Sequence, residues 1–230
     1  MIPKNNNSDS YNLDTNLLKN SIHNFEIYMM MYGSAIKEVR TKLEILSDNL
    51  SVDYKRNPIE MIKSRIKRPE SILEKLRRKG LDITEDSVLK NLNDIAGIRV
   101  ICSFIDDIYD VAGMLSRQDD ITVLEVKDYI KSPKPNGYRS YHMIIEIPVF
   151  FADSKRPMRV EVQFRTIAMD FWASLEHQMK YKKELDHSEE IAEELRNCAE
   201  TIAKTDLRMQ SINKAIALLS EEDDNDKKTP

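Results

Sequence analysis

Cysteine and histidine are scarce in this chain of 230 residues, which contains two cysteines and four histidines. Cys102 and Cys198 lie far apart in the sequence, and Cys102 belongs to the apolar run 98–104. Buried thiols are therefore expected rather than a disulfide. No Cys or His residues have the close spacing of zinc ligands, so the sequence predicts no zinc site.

Long apolar runs are also absent. Hydrophobic residues make up 41% of the chain and charged residues 32%, and no run is long enough to span a bilayer. Residues 1–5 lack the apolar centre of a signal peptide. We therefore expect a cytoplasmic protein without membrane contact. The Walker lysine loop, the Gly-rich dinucleotide turn and the Gly-x-Ser-x-Gly elbow are missing too, so none of these three chemistries is suggested.

The charged residues are unevenly distributed along the chain. The formal net charge is −4, which disfavours binding to a long polyanion. However, eight Lys and Arg residues crowd the segment 63–79 beside only two glutamates, whereas 221–226 is acidic. A basic patch on an acidic chain suits a small polyphosphate ligand, and a merely solvated basic helix is the alternative.

Two amphipathic segments lie at the two ends of the chain. In each, apolar residues recur at steps of four and three, the spacing of a heptad seam. Seams of this length favour self-association through at least one segment, although both could simply pack on a sheet. The first seam runs from Leu18 to Leu50, and the second runs from Ile191 to Leu219 with Thr205 as a polar interruption.

The chain is long enough to bury one substantial core, so we expect a single domain with helical extensions. Strands alternate with helices in its middle, which predicts an α+β (mixed α/β) fold around one sheet. The predicted parts are a disordered N-terminus (1–12), one domain (13–220) made of an N-terminal helix (13–52), a central core (58–182) and a C-terminal helix (187–220), and a disordered acidic tail (221–230).

The stretch 158–166 has the two-residue period of a β-strand. Its apolar side chains lie on one face, and Glu161, Gln163 and Arg165 lie on the other. The apolar strand predicted just before it, 141–151, suggests that 158–166 is an interior strand, where polar groups usually line a cleft. An ordinary half-solvated strand of an antiparallel sheet is the alternative.

A helix is predicted from Pro69 to Gly80, because proline is favoured at helix starts and glycine at helix ends. Polar side chains recur on one side of it, and two basic residues alternate along the extended segment before it. These donors converge near a helix N-terminus, which favours phosphate binding about as much as a solvated face. They are Arg65, Lys67, Ser71, Lys75 and Arg78.

Two carboxylates accompany these donors. Asp94 stands just before a predicted strand that also contains Gly97 and Arg99, and Glu161 lies on the polar face of 158–166. Mg²⁺ needs only one or two protein carboxylates when phosphates and waters complete its coordination shell. In phosphoryl transfer, one carboxylate can also deprotonate the attacking hydroxyl. The combination indicates phosphoryl transfer. Without such a role, Asp94 would cap a turn and Arg99 would pair with a surface acid.

Aromatic residues lie close to these groups. Tyr138 and His142 follow the lysine-containing loop 131–137 and could stack on a base, although two aromatic residues on a strand more often pack. A helix is predicted over 167–182, with Trp172 in its core-facing stripe rather than at a ligand. The predicted stripe is Phe171, Trp172, Leu175 and Met179.

Five motifs in order carry a resemblance to a known family. They are Arg65-x-Lys67 with Ser71, Lys75 and Arg78; 94–99; 137–142; 161–166; and 168–172 followed by Glu176-His177. Each motif is weak alone, and together they are specific. From about 58 to 182, the chain resembles the RelA/SpoT family of guanosine tetraphosphate and pentaphosphate synthetases, in particular the small single-domain alarmone synthetases.

The resemblance implies a nucleotidyltransferase-like mixed sheet. It also implies transfer of the β,γ-diphosphate of ATP to the 3′-hydroxyl of GDP or GTP, or also GMP, with release of AMP. Asp94 would hold Mg²⁺, and Glu161 would activate the 3′-hydroxyl and share the metal. Adenine would lie between Arg65 and Arg99. The ATP phosphates would contact Lys67, Ser71, Lys75 and Arg78.

On the acceptor side, the resemblance implies that Tyr138 stacks on guanine. It also implies a homotetramer, and alarmone or single-stranded RNA as a regulator. The paired His-Asp motif of the family's hydrolase domain and the length needed for its ribosome-sensing modules are missing, so a synthetase alone is expected. The other residues implied around the guanosine nucleotide are His142, Gln163, Asp170 and Glu176, with Lys134 and Arg139 near its phosphates.

Two further functions stay open. A catalytically silent nucleotide- or RNA-binding regulator would have no need of both Asp94 and Glu161 beside a polyphosphate. A related toxin that pyrophosphorylates tRNA ends should carry a basic surface track for RNA, and outside 63–79 the sequence has none. The preferred acceptor among GMP, GDP and GTP does not follow from the sequence.

Overall fold

The computed structural model of the protein describes residues 7–53, 56–180 and 188–226. Residues 1–6, 54–55, 181–187 and 227–230, which include parts of the predicted termini and the end of the predicted helix 167–182, lie outside the described residues. In chain order, the elements are α1 (Asn7–Asp53), β1 (Ile59–Ile66), α2 (Pro69–Arg78), α3 (Glu85–Asn91), β2 (Ala96–Cys102), α4 (Ile105–Ser116), β3 (Thr122–Asp128), β4 (Tyr141–Phe150), β5 (Lys155–Thr166), α5 (Ile167–Lys180) and α6 (Ser188–Asp226).

The five strands form one mixed sheet in the order β1-β2-β5-β4-β3. β2 and β5 pair in parallel, and the other neighbours are antiparallel. β5, which contains the stretch 158–166, is the central strand. The prediction of an interior strand is therefore confirmed, and the mixed sheet with long helices at both ends agrees with the expected α+β fold.

The apolar face of the sheet and the helix α1 form the main core. Val160, Val162 and Phe164 of β5 are fully buried in one cluster with residues of α1. On α1, the predicted heptad seam is buried or partly buried from Met29 to Leu50, so this part of the seam is covered within the chain. Phe25 is exposed, and the earlier positions Leu18 and Ile22 lie outside the residues whose side chains are described.

The second seam has a different environment. Along α6, Ala199, Asp206 and Gln210 face the body of the protein, and Leu195 and Ile202 are partly buried there. Much of the remaining apolar seam is exposed. The exposed seam positions are Ile191, Cys198, Thr205, Met209, Ile212, Ile216 and Leu219.

The predicted apolar stripe of α5 is correct only for Trp172, which is buried. Phe171, Leu175 and Met179 are exposed. The helix instead turns Asp170 and Glu176 inward, where arginine and asparagine side chains bind their carboxylates. Paired carboxylates can be buried at low cost, and this orientation directs the apolar stripe outward.

Several boundaries differ from those expected. Residues 7–12, expected to be disordered, lie within α1, and α6 continues to Asp226 in the predicted tail. Cys102 is a buried free thiol as expected, whereas Cys198 is exposed. None of the helices in the part of the chain that the structure describes is long and apolar enough to cross a membrane.

Candidate active site

The polar face of the sheet carries two rows of side chains that cross the strands. Residues directly opposite each other on paired strands point to the same face. One row runs Lys63, Arg99, Gln163, His142 and Lys127, and the other runs Arg65, Gly97, Glu161, Ile144 and Glu125. Gly97 places no side chain beside Glu161, and the side chain of Arg65 packs over it. Arg65 and Arg99 lie in neighbouring rows on adjacent strands.

A cluster of opposite charges lies at the start of β2. The Nζ atoms of Lys67 and Lys75 are each 2.6 Å from Oδ2 of Asp94. Burial alone would raise the pKa of the Asp94 carboxyl, but the hydrogen bonds from the two lysines outweigh it and lower the pKa. The structure thus brings together one expected carboxylate and two of the expected phosphate ligands.

The positions of Lys67 and Lys75 follow from local structure. Lys67 lies at the end of β1, where its N–H donates to the carbonyl of Ile95 over 2.8 Å. Lys75 lies on α2, which begins at Pro69 and ends before Gly80 at a φ of 66°. Two different elements therefore aim ammonium groups at one carboxylate.

Glu161 belongs to a closed ring of five side chains. Its Oε2 accepts a hydrogen bond of 2.8 Å from Nε2 of Gln163, and its Oε1 lies 3.3 Å from Nδ1 of His142. Nε2 of His142 lies 2.8 Å from the hydroxyl of Tyr138. Arg165 closes the ring, because its Nη2 donates to that hydroxyl over 2.8 Å and to Oε1 of Gln163 over 3.1 Å.

The ring fixes the ionisation and direction of Glu161. Burial alone would raise the pKa of its carboxyl, but the interactions with His142 and Gln163 outweigh it and lower the pKa. Glu161 is therefore ionised at neutral pH. The ring also connects this carboxylate through His142 to Tyr138, the residue implied to stack on guanine.

Asp170 joins the two arginines of the site. Its Oδ1 lies 3.0 Å from Nη1 of Arg99 and 2.9 Å from Nη1 of Arg165, and its Oδ2 lies 3.6 Å from Nζ of Lys63. Three cations thus share one carboxylate. The Nε atoms of Arg99 and Arg165 are buried and have no hydrogen-bond partner among the described residues.

Residues 131–140, which we call the acceptor loop, connect β3 to β4 beside this ring. Nζ of Lys134 lies 4.6 Å from the ring centroid of Tyr129 and 4.8 Å from that of Tyr138. Asn136 donates from Nδ2 to Oε1 of Glu176 over 2.9 Å. The expected acceptor residues Lys134, Tyr138 and Glu176 are therefore close neighbours.

Arg139 lies between the acceptor loop and α6, and its expected contact with the acceptor phosphates stays a prediction. Its Nη1 donates to the carbonyl of Gly137 over 3.2 Å and to that of Ala199 over 3.5 Å. Its guanidinium therefore points toward α6 rather than to the ring around Glu161, because the carbonyl groups there accept its hydrogen bonds. Ser71 and Arg78 share a side of α2 with Lys75 by their i, i+4, i+7 spacing and stay predicted phosphate contacts.

Arg165, Asn136 and Lys63 are members of the site to which the sequence motifs gave no role. Arg165 is almost fully buried and contacts Tyr138, Gln163 and Asp170. The alternation of 158–166 placed it on the polar face, but its partners lie in other elements. The register of β1 against β2, which sets Lys63 beside Arg99, could not be deduced from β1 alone.

The environment of Asp94 fits a divalent cation. Its Oδ1 is buried and has no hydrogen-bond partner in the described part of the chain. Burying such an oxygen without a partner is unfavourable, and a hard cation would satisfy it. Among the described residues, no group of three or more His, Cys, Asp or Glu side chains could hold a metal, so phosphates and waters would complete the shell.

Comparison with known proteins gives the family. Residues 64–186, more than half of the chain, match the region found in RelA and SpoT proteins. The chain belongs to the RelA/SpoT family. This membership confirms the resemblance that the five motifs carried.

Two relatives in this family come from Bacillus subtilis. The GTP pyrophosphokinase YwaC is 44% identical over 199 residues, which cover 86% of this chain and 95% of the relative. The GTP pyrophosphokinase YjbM is 36% identical over 188 residues, which cover 82% of this chain and 88% of the relative. The crystal structure of small alarmone synthetase 1 from Bacillus subtilis, bound to its product pppGpp, superposes with a TM-score of 0.78 at 35% identity and covers 84% of this chain and 98% of the solved one.

Proposed function

We propose that this member of the RelA/SpoT family is a (p)ppGpp synthetase. It transfers the β,γ-diphosphate of ATP to the 3′-hydroxyl of GDP or GTP, with GMP as a further candidate, and releases AMP. The observation that carries the proposal is the arrangement of two carboxylates at one site. Asp94 is held by two lysines, and Glu161 lies beside His142, which in turn contacts Tyr138 on the acceptor loop.

The donor side binds ATP through its phosphates. When ATP binds, the ammonium groups of Lys67 and Lys75 leave Oδ2 of Asp94 and contact phosphate oxygens instead. They can do so because an ammonium group on a flexible side chain binds phosphate as a point charge. Ser71 and Arg78 extend this contact along α2. The adenine ring lies between the guanidinium groups of Arg65 and Arg99, which stack readily on planar rings.

The reacting atoms meet at Glu161. One oxygen of this carboxylate takes the proton from the acceptor 3′-hydroxyl. The 3′-oxygen then forms a bond to the β-phosphorus of ATP, and the bond from that phosphorus to the α,β-bridging oxygen breaks, so AMP leaves with that oxygen. Bound Mg²⁺, held by Asp94 and shared with Glu161, would neutralise charge on the phosphates.

The chain's own residues supply mainly positioning, which is the larger part of catalysis in phosphoryl transfer. Gln163 and His142 orient the two oxygens of Glu161. Asp170 and Glu176 lie around the acceptor, and Lys134 lies near its phosphates. The guanine base stacks on Tyr138, whose hydroxyl is fixed by Arg165.

An acceptor assay tests this function against the two alternatives. Purified protein is incubated with labelled ATP, Mg²⁺ and one acceptor at a time: GMP, GDP, GTP or tRNA. The proposal expects AMP release with guanosine nucleotides and identifies the preferred one. Transfer to tRNA alone would support the toxin, and nucleotide binding without any AMP would support the silent regulator.

Assembly is part of the proposal. The exposed apolar seam of α6, with Met209 and Ile212 each 51% exposed, supports self-association as a homotetramer. Light scattering that finds a monomer at micromolar concentration would contradict it. Regulation by alarmone or single-stranded RNA, and a cytoplasmic location, stay predictions.

A further inference from the structure

The acceptor loop lies close to α6 at Gly137. This residue is buried at a φ of 86°, and a Cβ placed on it would lie 2.5 Å from the Cβ of Ala199. Real Cβ atoms essentially never approach so closely. A side chain at Gly137 therefore does not fit without moving the loop or the helix, and the methyl group of Ala199 is the group that it would meet.

Other contacts secure the loop at the same place. Arg139 bridges the carbonyl of Gly137 to that of Ala199, and Tyr138 packs on a small cluster formed by Trp172 and Ala199. A cavity of about 270 Å³ lies beside this contact between the loop, α5 and α6. Gly137, Arg139 and Ala199 all line this cavity.

We propose that Ala199 of α6 is a positioning residue for the acceptor. Gly137 directly precedes Tyr138, so displacing the loop at this contact moves the aromatic ring and the hydrogen bonds that join it to Glu161. This inference rests on the proposed function and adds that the C-terminal helix sets the affinity for the guanosine nucleotide.

The effect is selective for one substrate. The phosphate ligands Lys67 and Lys75 lie directly after β1 and on α2, at the edge of the sheet that β1 forms. The acceptor loop connects β3 and β4 at the other edge. A change at Ala199 therefore weakens guanosine nucleotide binding and leaves ATP binding as it was, which a general loss of stability would not do.

The test substitutes Ala199→Val in the full chain. Calorimetry measures binding of GDP and, separately, of a non-hydrolysable ATP analogue. The matched control is Ala192→Val, which lies two turns earlier on α6 at an exposed position and introduces the same β-branched residue into the helix. Trp172, the single tryptophan of the chain, donates to the carbonyl of Leu195 on α6 over 2.9 Å, so its emission reports movement of the helix.

We expect Ala199→Val to raise the Kd for GDP about tenfold, which corresponds to about 1.4 kcal/mol, with a changed Trp172 emission and an unchanged Kd for the ATP analogue. Ala192→Val should behave as wild type. If Ala199→Val does not fold, Ala199→Gly removes the contact instead and should weaken GDP binding in the same selective way. Wild-type GDP affinity in a folded Ala199 variant overturns this inference alone. Failure of the wild-type protein to bind GDP overturns the proposed function, and this inference with it.

Discussion

Replacing Asp94 by asparagine should strengthen the binding of metal-free ATP and abolish most of the turnover. In the protein without substrate, Asp94 holds Lys67 and Lys75 through two contacts of 2.6 Å. Phosphate oxygens must displace this carboxylate before they can bind the lysines. Asp94→Asn keeps a hydrogen-bond acceptor of similar size and removes the competing charge.

The magnitude follows from the two lysine contacts. A hydrogen bond to a charged group contributes about 1.5–3 kcal/mol. In Asp94→Asn, ATP no longer has to displace such a bond between the carboxylate and a lysine. If the binding of ATP is spared the loss of even one such bond, its Kd falls roughly tenfold, which corresponds to at least about 1.4 kcal/mol. With Mg²⁺, turnover should fall about a hundredfold or more, because loss of a metal-held carboxylate removes several kcal/mol of charge stabilisation.

Calorimetry with ATP in the presence of a metal chelator measures the first effect, and AMP release with Mg²⁺ measures the second. Asp82→Asn is the control, because Asp82 is exposed beyond the end of α2. This substitution changes the net charge by the same amount as Asp94→Asn. Equal or weaker binding of metal-free ATP by Asp94→Asn would refute the idea that Asp94 and phosphate compete for the lysines.

The remaining predictions concern pH, the ring around Glu161 and α6. The folded pKa of Asp94 is lowered, so this group stabilises the fold above its unfolded pKa of about 3.9 and loses that contribution as pH falls through the folded pKa. In urea titrations from about pH 2 to pH 6, Asp94→Asn should lose less stability on acidification than wild type, and equal slopes would contradict this. Tyr138→Phe removes the hydroxyl held by Arg165 but keeps the aromatic ring, so kcat should fall about tenfold with little change in the KM for GDP. Tyr138→Leu removes the ring and should raise the KM for GDP. A large rise in this KM for Tyr138→Phe would assign the hydroxyl to binding instead. Ile212→Asp places a charge on the exposed α6 seam and should lower the mass measured by light scattering, and an unchanged mass would argue against assembly through this helix.

Local signals in the sequence predicted most of the fold. Pro69 and Gly80 mark the two ends of α2, and the two-residue alternation in 158–166 identified the central strand. The two heptad seams show where such signals stop. Both have the same spacing, yet one is buried on the sheet and the other is largely exposed, because periodicity gives an apolar face but not the surface that covers it.

The site was predictable in its residue types and less so in its geometry. The motifs placed Asp94, Lys67 and Lys75 together, and the structure brings them together. The direction of long side chains was not predictable, because it depends on tertiary contacts. Arg139 turns toward a carbonyl group 60 residues away on α6, and Arg165 reaches Tyr138 on a loop 27 residues earlier.

The most direct test of the central claim is the stoichiometry of AMP release by wild type and Glu161→Gln. Labelled ATP, Mg²⁺ and GDP are incubated with each protein, with Glu38→Gln at an exposed position of α1 as the control. We expect wild type and the control to form one AMP for each guanosine nucleotide diphosphorylated at the 3′ position, and Glu161→Gln to form almost none. Unchanged product formation by Glu161→Gln, or no 3′-diphosphorylated product from wild type, would contradict the central claim.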